Sequence, residues 1–227
     1  MDVNNLSKRL SAADVAYETL KERIIELQYE PAEHLLEDQL SKDLQISRTP
    51  LRQALYRLEL EGLVNKQSNG RMYVAPVTLE EAREVFVVRE LMESLIAKEA
   101  ATELTQDDVY ALEDTIALMK RAAELNRSQD FMKHSGDFHE IIQSKSTNQT
   151  AKRFLQQLEN KVERYRRISG YSNPDYALET PLNEHVKILH YLKEKSSGEV
   201  EELMRAHIRR SLKTIEETIE HSSSYST

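Results

Sequence analysis

The 227-residue chain contains no cysteine and no tryptophan, and only five glycines and five prolines. Without cysteine there is neither a disulfide framework nor a thiolate metal site, a composition that fits a reducing compartment. So few glycines and prolines, beside many Leu, Glu, Lys and Ala, favour a mostly helical protein. No apolar run approaches the roughly 20 residues needed to span a bilayer. The N-terminus lacks the apolar core of a signal peptide, so a cytoplasmic protein without a membrane partner is expected. The net charge of −8 argues against a protein that coats nucleic acid. It leaves room for a site-specific binder, because local charge matters more than the total. The length allows two modest domains.

The most informative segment runs from Ser47 to Leu55. Arg48 and Arg52 are four apart and share one helical face. Leu51, Ala54, Leu55 and Leu58 recur at i, i+3, i+4, i+7 and form the opposite, buried face. Ser47 suits an N-cap, and Pro50 falls in the first turn, where its missing N–H costs nothing. Such a helix is built to enter a major groove. From Ile46 to Val74 five basic residues face only Glu59 and Glu61, so this stretch is positive and the remainder strongly acidic. Upstream, Tyr17, Leu20, Ile24 and Ile25 predict a helix over 12–27, and Leu36, Leu40 and Leu44 a short second one. Downstream, Gly62 ends the recognition helix. Two short strands, 63–66 and 71–74, follow around Ser68-Asn69-Gly70, a strong hairpin signal. Three helices and a hairpin make a winged helix-turn-helix over residues 1–78.

After Thr78 every strong signal has helical period. Thr78 with Glu81 predicts a capping box, and helices are expected near 79–103, 107–126, 128–144, 148–169, 178–195 and 197–219. Gly170 to Pro174 is expected to separate the fourth from the fifth of these. Residues 79–221 thus form an all-α bundle, and 222–227 a disordered tail. His139, His185 and His207 each fall inside the apolar stripe of a different helix. Three neutral imidazoles with an open fourth position suit zinc or nickel; alternatively each is a hydrogen-bonded core histidine. Arg89 shares a stripe with Val85, Met92 and Ile96, so its guanidinium points inward and needs a partner. That partner is an internal acid, Glu93 or Glu140, or the carboxylate of a ligand.

These motifs resemble the GntR family of bacterial transcriptional regulators, in its FadR-like subgroup with an FCD ligand-binding domain. The resemblance spans about residues 12–220 and is densest from Ile46 to Val64; the usual Pro-Gly turn upstream reads Pro31-Ala32. It implies that Ser47, Arg48, Thr49, Arg52 and Gly70 contact DNA, with Arg71 as a further wing contact. Arg52 reads guanine or grips phosphate. It also implies a metal held by an aspartate, a histidine four residues later and two more histidines. His139, His185 and His207 match the histidines; the aspartate position is Ser135, and Asp137 lies on another helical face. Arg89 matches an arginine that faces the effector, and Asn148 reads as a helix cap.

The function this implies is a ligand-responsive, sequence-specific DNA-binding regulator, read as a repressor acting as a homodimer on an operator. A small carboxylate effector would bind with or without zinc or nickel, with Arg89 and Ser135 at its site. The other class of reading is a metalloenzyme with a vestigial helix-turn-helix, whose histidines activate water. No general base stands beside them in the pattern, so a non-enzyme is expected.

Overall fold

The structure is a computed structural model that describes residues 10–172 and 177–221. It divides into two compact units, one ending at Pro76 and the other beginning at Val77. Among the described residues there are nine helices and one small sheet. No described helix is long and apolar enough to cross a membrane. The expected 222–227 tail lies outside the described residues.

The first unit holds α1 (Ala12–Ile25), β1 (His34–Leu35), α2 (Glu37–Asp43), α3 (Arg48–Leu60), β2 (Val64–Lys66) and β3 (Met72–Val74). Ser11 starts α1 with a reciprocal capping box to Asp14, which satisfies donors that the first turn would otherwise orphan. The stripe Tyr17, Leu20, Ile24 meets Leu51, Leu55 and Leu58 of α3 in one core. Gly62 adopts a left-handed φ of 70° and brings Leu63 N back to the Leu58 carbonyl, closing α3. The sheet is antiparallel in the order β1-β3-β2, with Val64 opposite Val74 and His34 opposite Tyr73. Strand β1 is absent from the sequence reading, because two residues are too short for an alternation to register.

The Pro31-Ala32 turn carries a cost. Ala32 N donates to the Val74 carbonyl at 3.0 Å, and holding that bond sets its φ at 65°. A Cβ in the left-handed region is disfavoured by about 1–2 kcal/mol, part of which glycine would return as unfolded-state entropy. Ala32→Gly should therefore stabilise this unit by about 0.5–1 kcal/mol. In a thermal melt the midpoint should rise by about 2–5 °C; an unchanged or lowered midpoint would contradict this account.

The second unit holds α4 (Leu79–Glu103), α5 (Gln106–Glu124), α6 (Ser128–Lys145), α7 (Gln149–Ser172), α8 (Glu179–Lys193) and α9 (Ser197–His221). Helix α4 is central: it packs on α6, α7, α8 and most extensively on α9. Its cap is half of the expected box. The Thr78 hydroxyl accepts from Glu81 N, but the Glu81 carboxylate is taken by Lys161 and Tyr165 of α7. The full box appears instead at α5, between Thr105 and Asp108. Helix α7 runs through Gly170 to Ser172, so the helix does not stop at Gly170 as expected, because one glycine costs a helix only about 1 kcal/mol; Asn173 and Pro174 lie outside the described residues. Asn148 caps α7, its side-chain oxygen accepting from Ala151 N.

Candidate functional site

The first candidate site lies in the winged unit. Helix α3 begins where Ser47 takes an extended backbone, yet the Ser47 hydroxyl makes no capping bond. The position is an N-cap as expected, and its hydroxyl stays available. Ser47, Arg48, Thr49, Arg52, Gly70 and Arg71 are all exposed. Arg52, Gly70 and Arg71 line one cleft of about 280 Å³. Gly70 turns the hairpin at a φ of 84°, a conformation other residues rarely adopt. Arg57, the third arginine of α3, turns away. It pairs with Asp14 at 2.8 Å and lies 3.7 Å over the Tyr17 ring, so it ties α3 to α1.

Two acids of α2 complete this face, and the sequence reading assigned neither. Arg48 Nη2 lies 2.6 Å from Asp38 Oδ1. Arg52 Nε donates to both oxygens of Glu37, at 3.1 and 2.9 Å. Ten to fifteen residues separate these partners, so no helical spacing links them in the chain.

The second site is buried in the bundle. Helix α4 brings in Arg89 and Glu93, one turn apart; α6 brings Ser135 and His139, also one turn apart; α8 brings His185; α9 brings His207 and Arg210. His139, His185 and His207 are all buried, and one ring nitrogen of each lies within 4.8 Å of the others. The expected convergence of the three histidines is therefore present. His139 Nε2 and His207 Nε2 stand 3.2 Å apart.

What faces the other ring nitrogens sets the tautomers. His185 Nδ1 lies 2.6 Å from the Pro181 carbonyl, which can only accept, so the proton is on Nδ1. Its Nε2 then accepts from the Ser135 hydroxyl at 3.2 Å. His207 Nδ1 lies 2.7 Å from a Glu184 carboxylate oxygen. His139 Nδ1 lies 2.6 Å from Glu93 Oε2 as an ion contact. Burial lowers the pKa of all three imidazoles, and their mutual repulsion holds His185 and His207 well below the ordinary value. That lowering favours the neutral form of each ring, in which the Nε2 lone pairs of His139 and His207 face one another. Two such lone pairs 3.2 Å apart repel unless something positive lies between them, so the donor set fits a divalent cation.

Arginine backs each carboxylate. Arg89 Nε donates to Glu93 Oε1 at 2.5 Å. Arg210 Nε reaches both oxygens of Glu184 at 2.7 Å. Burial pushes the Glu93 carboxyl up, but Arg89 and then His139 outweigh it and hold the group well below its usual range. Glu93, not Glu140, is thus the internal acid for Arg89; Glu140 is exposed. Burial brings Arg89 down to about 10, which leaves it charged at neutral pH. Its Nη1 is buried without a hydrogen-bond partner. Arg89 also borders a small cavity of about 20 Å³ shared with Ser135, Arg166, His185, His207 and Arg210. A larger hollow of about 260 Å³ between α6 and α7 also reaches Glu93, His139 and Arg166. Asp137 lines that hollow and pairs with His134, off the histidine cluster as its spacing required. Arg166, Arg210 and Glu184 were not picked out from the sequence. Only Arg210 carries a usable signal, three residues after His207 on the same helical face.

Comparison with known proteins agrees with both halves. Residues 12–74 match the family described as "Bacterial regulatory proteins, gntR family", and residues 84–210 match the FCD domain. The chain is 26% identical over 194 residues to the HTH-type transcriptional repressor RspR of Escherichia coli, covering 85% of this chain and 84% of that one. It is 26% identical over 206 residues to the HTH-type transcriptional regulator YdhC of Bacillus subtilis, covering 90% and 91%. Among solved structures, E. coli McbR/YncC superposes with a TM-score of 0.78 at 19% identity, over 92% of this chain and 98% of that one. The chain belongs to the GntR family of bacterial transcriptional regulators, with an FCD domain following its winged helix-turn-helix.

Proposed function

We propose that this regulator is a cytoplasmic, homodimeric repressor whose affinity for its operator is set by a small carboxylate bound in the FCD unit. The observation that carries the effector reading is Arg89 Nη1, a buried donor without a hydrogen-bond partner, on a residue that borders one cavity with His185 and His207. Leaving such a donor unmade costs about 1–3 kcal/mol or more, and a carboxylate is the ligand that repairs it. Arg166 and Arg210 border the same cavity and add positive charge. His139, His185 and His207 would hold zinc or nickel there, with Ser135 standing where a fourth ligand is missing. A bound cation supplies Lewis acidity and an open position for an effector oxygen. The residues themselves orient it: Glu93 and Glu184 keep two rings in place, and the Pro181 carbonyl keeps the third.

The Ser135–His185 hydrogen bond favours one second reading, in which the centre works without metal and the imidazoles serve the effector as hydrogen-bond partners. An enzyme has less support. The carboxylates that touch these three imidazoles are Glu93 and Glu184, and both are paired with arginines. A second copy of the chain is supported by the outer face of α4, where Val87, Leu91 and Leu95 form an exposed apolar stripe at four-residue spacing. Two winged units in a dimer read two half-sites of a pseudo-palindrome.

The test is fluorescence anisotropy on a duplex selected from a random library, titrated with a panel of hydroxy acids, dicarboxylates, sugar acids and amino acids, with and without chelator. At least one carboxylate should weaken DNA binding by about ten-fold, which requires about 1.4 kcal/mol of differential affinity between the two states. Loss of that response under chelator identifies the metal-assisted form, and its survival the metal-free one. If no carboxylate changes the affinity, the effector reading fails.

A further inference from the structure

We propose that Glu37 is a positioning residue for base recognition: it grips Arg52 along one edge and thereby decides which edge of the guanidinium meets DNA. The proposal rests on Arg52 being a DNA contact. Arg52 Nε lies 3.1 and 2.9 Å from the two Glu37 oxygens, and Nη2 lies 2.9 Å from Oε2. These contacts occupy the side edge of the group. A guanidinium is a rigid plane with five N–H donors, so fixing one edge fixes the others. The two outward protons, on Nη1 and Nη2, remain for a partner beyond the tip. Their spacing suits O6 and N7 of one guanine. A phosphate makes no such demand, because an unrestrained arginine can turn any edge to it.

Glu37 is the better anchored of the two. Its side chain is 28% exposed against 64% for Arg52, so the carboxylate holds the arginine. Both line the cleft that Gly70 and Arg71 border from the wing. The neighbouring pair lacks this character. Arg48 meets Asp38 through one contact, and their side chains are 61% and 70% exposed. A carboxylate on a DNA-facing surface also repels phosphate. Removing it should therefore tighten binding to any sequence, unless the carboxylate serves discrimination. That opposition of signs is what makes the role measurable.

The experiment uses the full-length protein and duplexes selected from a random library with the wild type. Affinities for the selected duplex and for a scrambled one are measured by anisotropy for Glu37→Gln, Glu37→Asp and Arg52→Ala, each variant also being melted to check its fold. Selection is then repeated with each. Glu37→Gln should bind the selected duplex about ten-fold more weakly while holding or gaining affinity for the scrambled one. One guanine position should relax in its selected sequences. Glu37→Asp keeps the charge but shortens the reach by one methylene, and it should relax the same position. If both Glu37 variants keep that guanine while Arg52→Ala loses it, Arg52 reads the base unaided and the positioning role is wrong. If Arg52→Ala matches the wild type on both duplexes, the reading of Arg52 as a DNA contact is wrong instead. A parallel rise in both affinities for Glu37→Gln would mark Glu37 as a repulsive charge and no more.

Discussion

An Arg48→Ala variant should bind a selected operator duplex no better than random DNA while keeping its fold and the oligomeric mass of the wild type. The fold should survive because nothing in the core depends on this side chain. It is 61% exposed, and its ion-pair partner Asp38 is exposed as well. Surface substitutions of this kind usually change stability by less than about 0.5 kcal/mol. Binding should collapse for two additive reasons. A bidentate arginine–guanine contact is worth about 1–3 kcal/mol of discrimination, and a dimer loses it in both half-sites, about 2–6 kcal/mol in all. At tenfold per 1.4 kcal/mol that is roughly 30-fold to 10⁴-fold. The substitution also unmasks Asp38, whose charge then faces phosphate. A mobility-shift titration reads the first quantity, and size exclusion with circular dichroism reads the control. Sequence-specific affinity equal to the wild type would remove Arg48 from the reading face.

Wild-type protein should retain close to one metal ion per chain after zinc addition and dialysis, and a His185→Ala variant should not. Mass spectrometry on untagged protein measures this directly. His185 is fully buried, and its Nδ1 is spent on the Pro181 carbonyl, so only Nε2 is available to a cation. Without it two imidazole ligands remain, and two do not hold zinc against dialysis as three can. The same variant leaves a cavity in the bundle, which alone costs about 2–4 kcal/mol, so a melt cannot by itself separate metal loss from packing loss. The separating measurement is the chelator effect. Chelator should lower the midpoint of the wild type, because bound metal adds RT ln(1 + [L]/Kd) to stability, and should leave His185→Ala unmoved. Wild type that stays metal-free after zinc addition and dialysis would leave Ser135 bonded to His185 as the resting arrangement, and Arg89 as the anchor for the effector.

Much of this was legible before any coordinates. The expected helices of the bundle fall within about two residues of those observed, except that α7 runs on past Gly170. The wing turns at Asn69-Gly70, where the dipeptide asked for it. The inward orientation of Arg89, His139, His185 and His207 was visible too, because a side chain inside an apolar stripe has only one place to point. Strand β1 was missed because two residues carry no period, and the Thr78 box closed by half because Glu81 found α7 partners 80 and 84 residues away.

The amino-acid sequence by itself determined which helices form and which face of each is buried, since both follow from local spacing, caps and turn residues. Only the tertiary structure decided what those faces meet. Whether three inward imidazoles converge depends on how α6, α8 and α9 cross. So does the choice of Glu93 over Glu140 for Arg89, and the arrival of Arg166 and Arg210 at the same cavity. On the exposed face of α3, Glu37 reaches Arg52 across 15 residues of chain. A helical period relates residues three or four apart; contacts between elements are set by packing angles and loop lengths, which no short window of sequence contains.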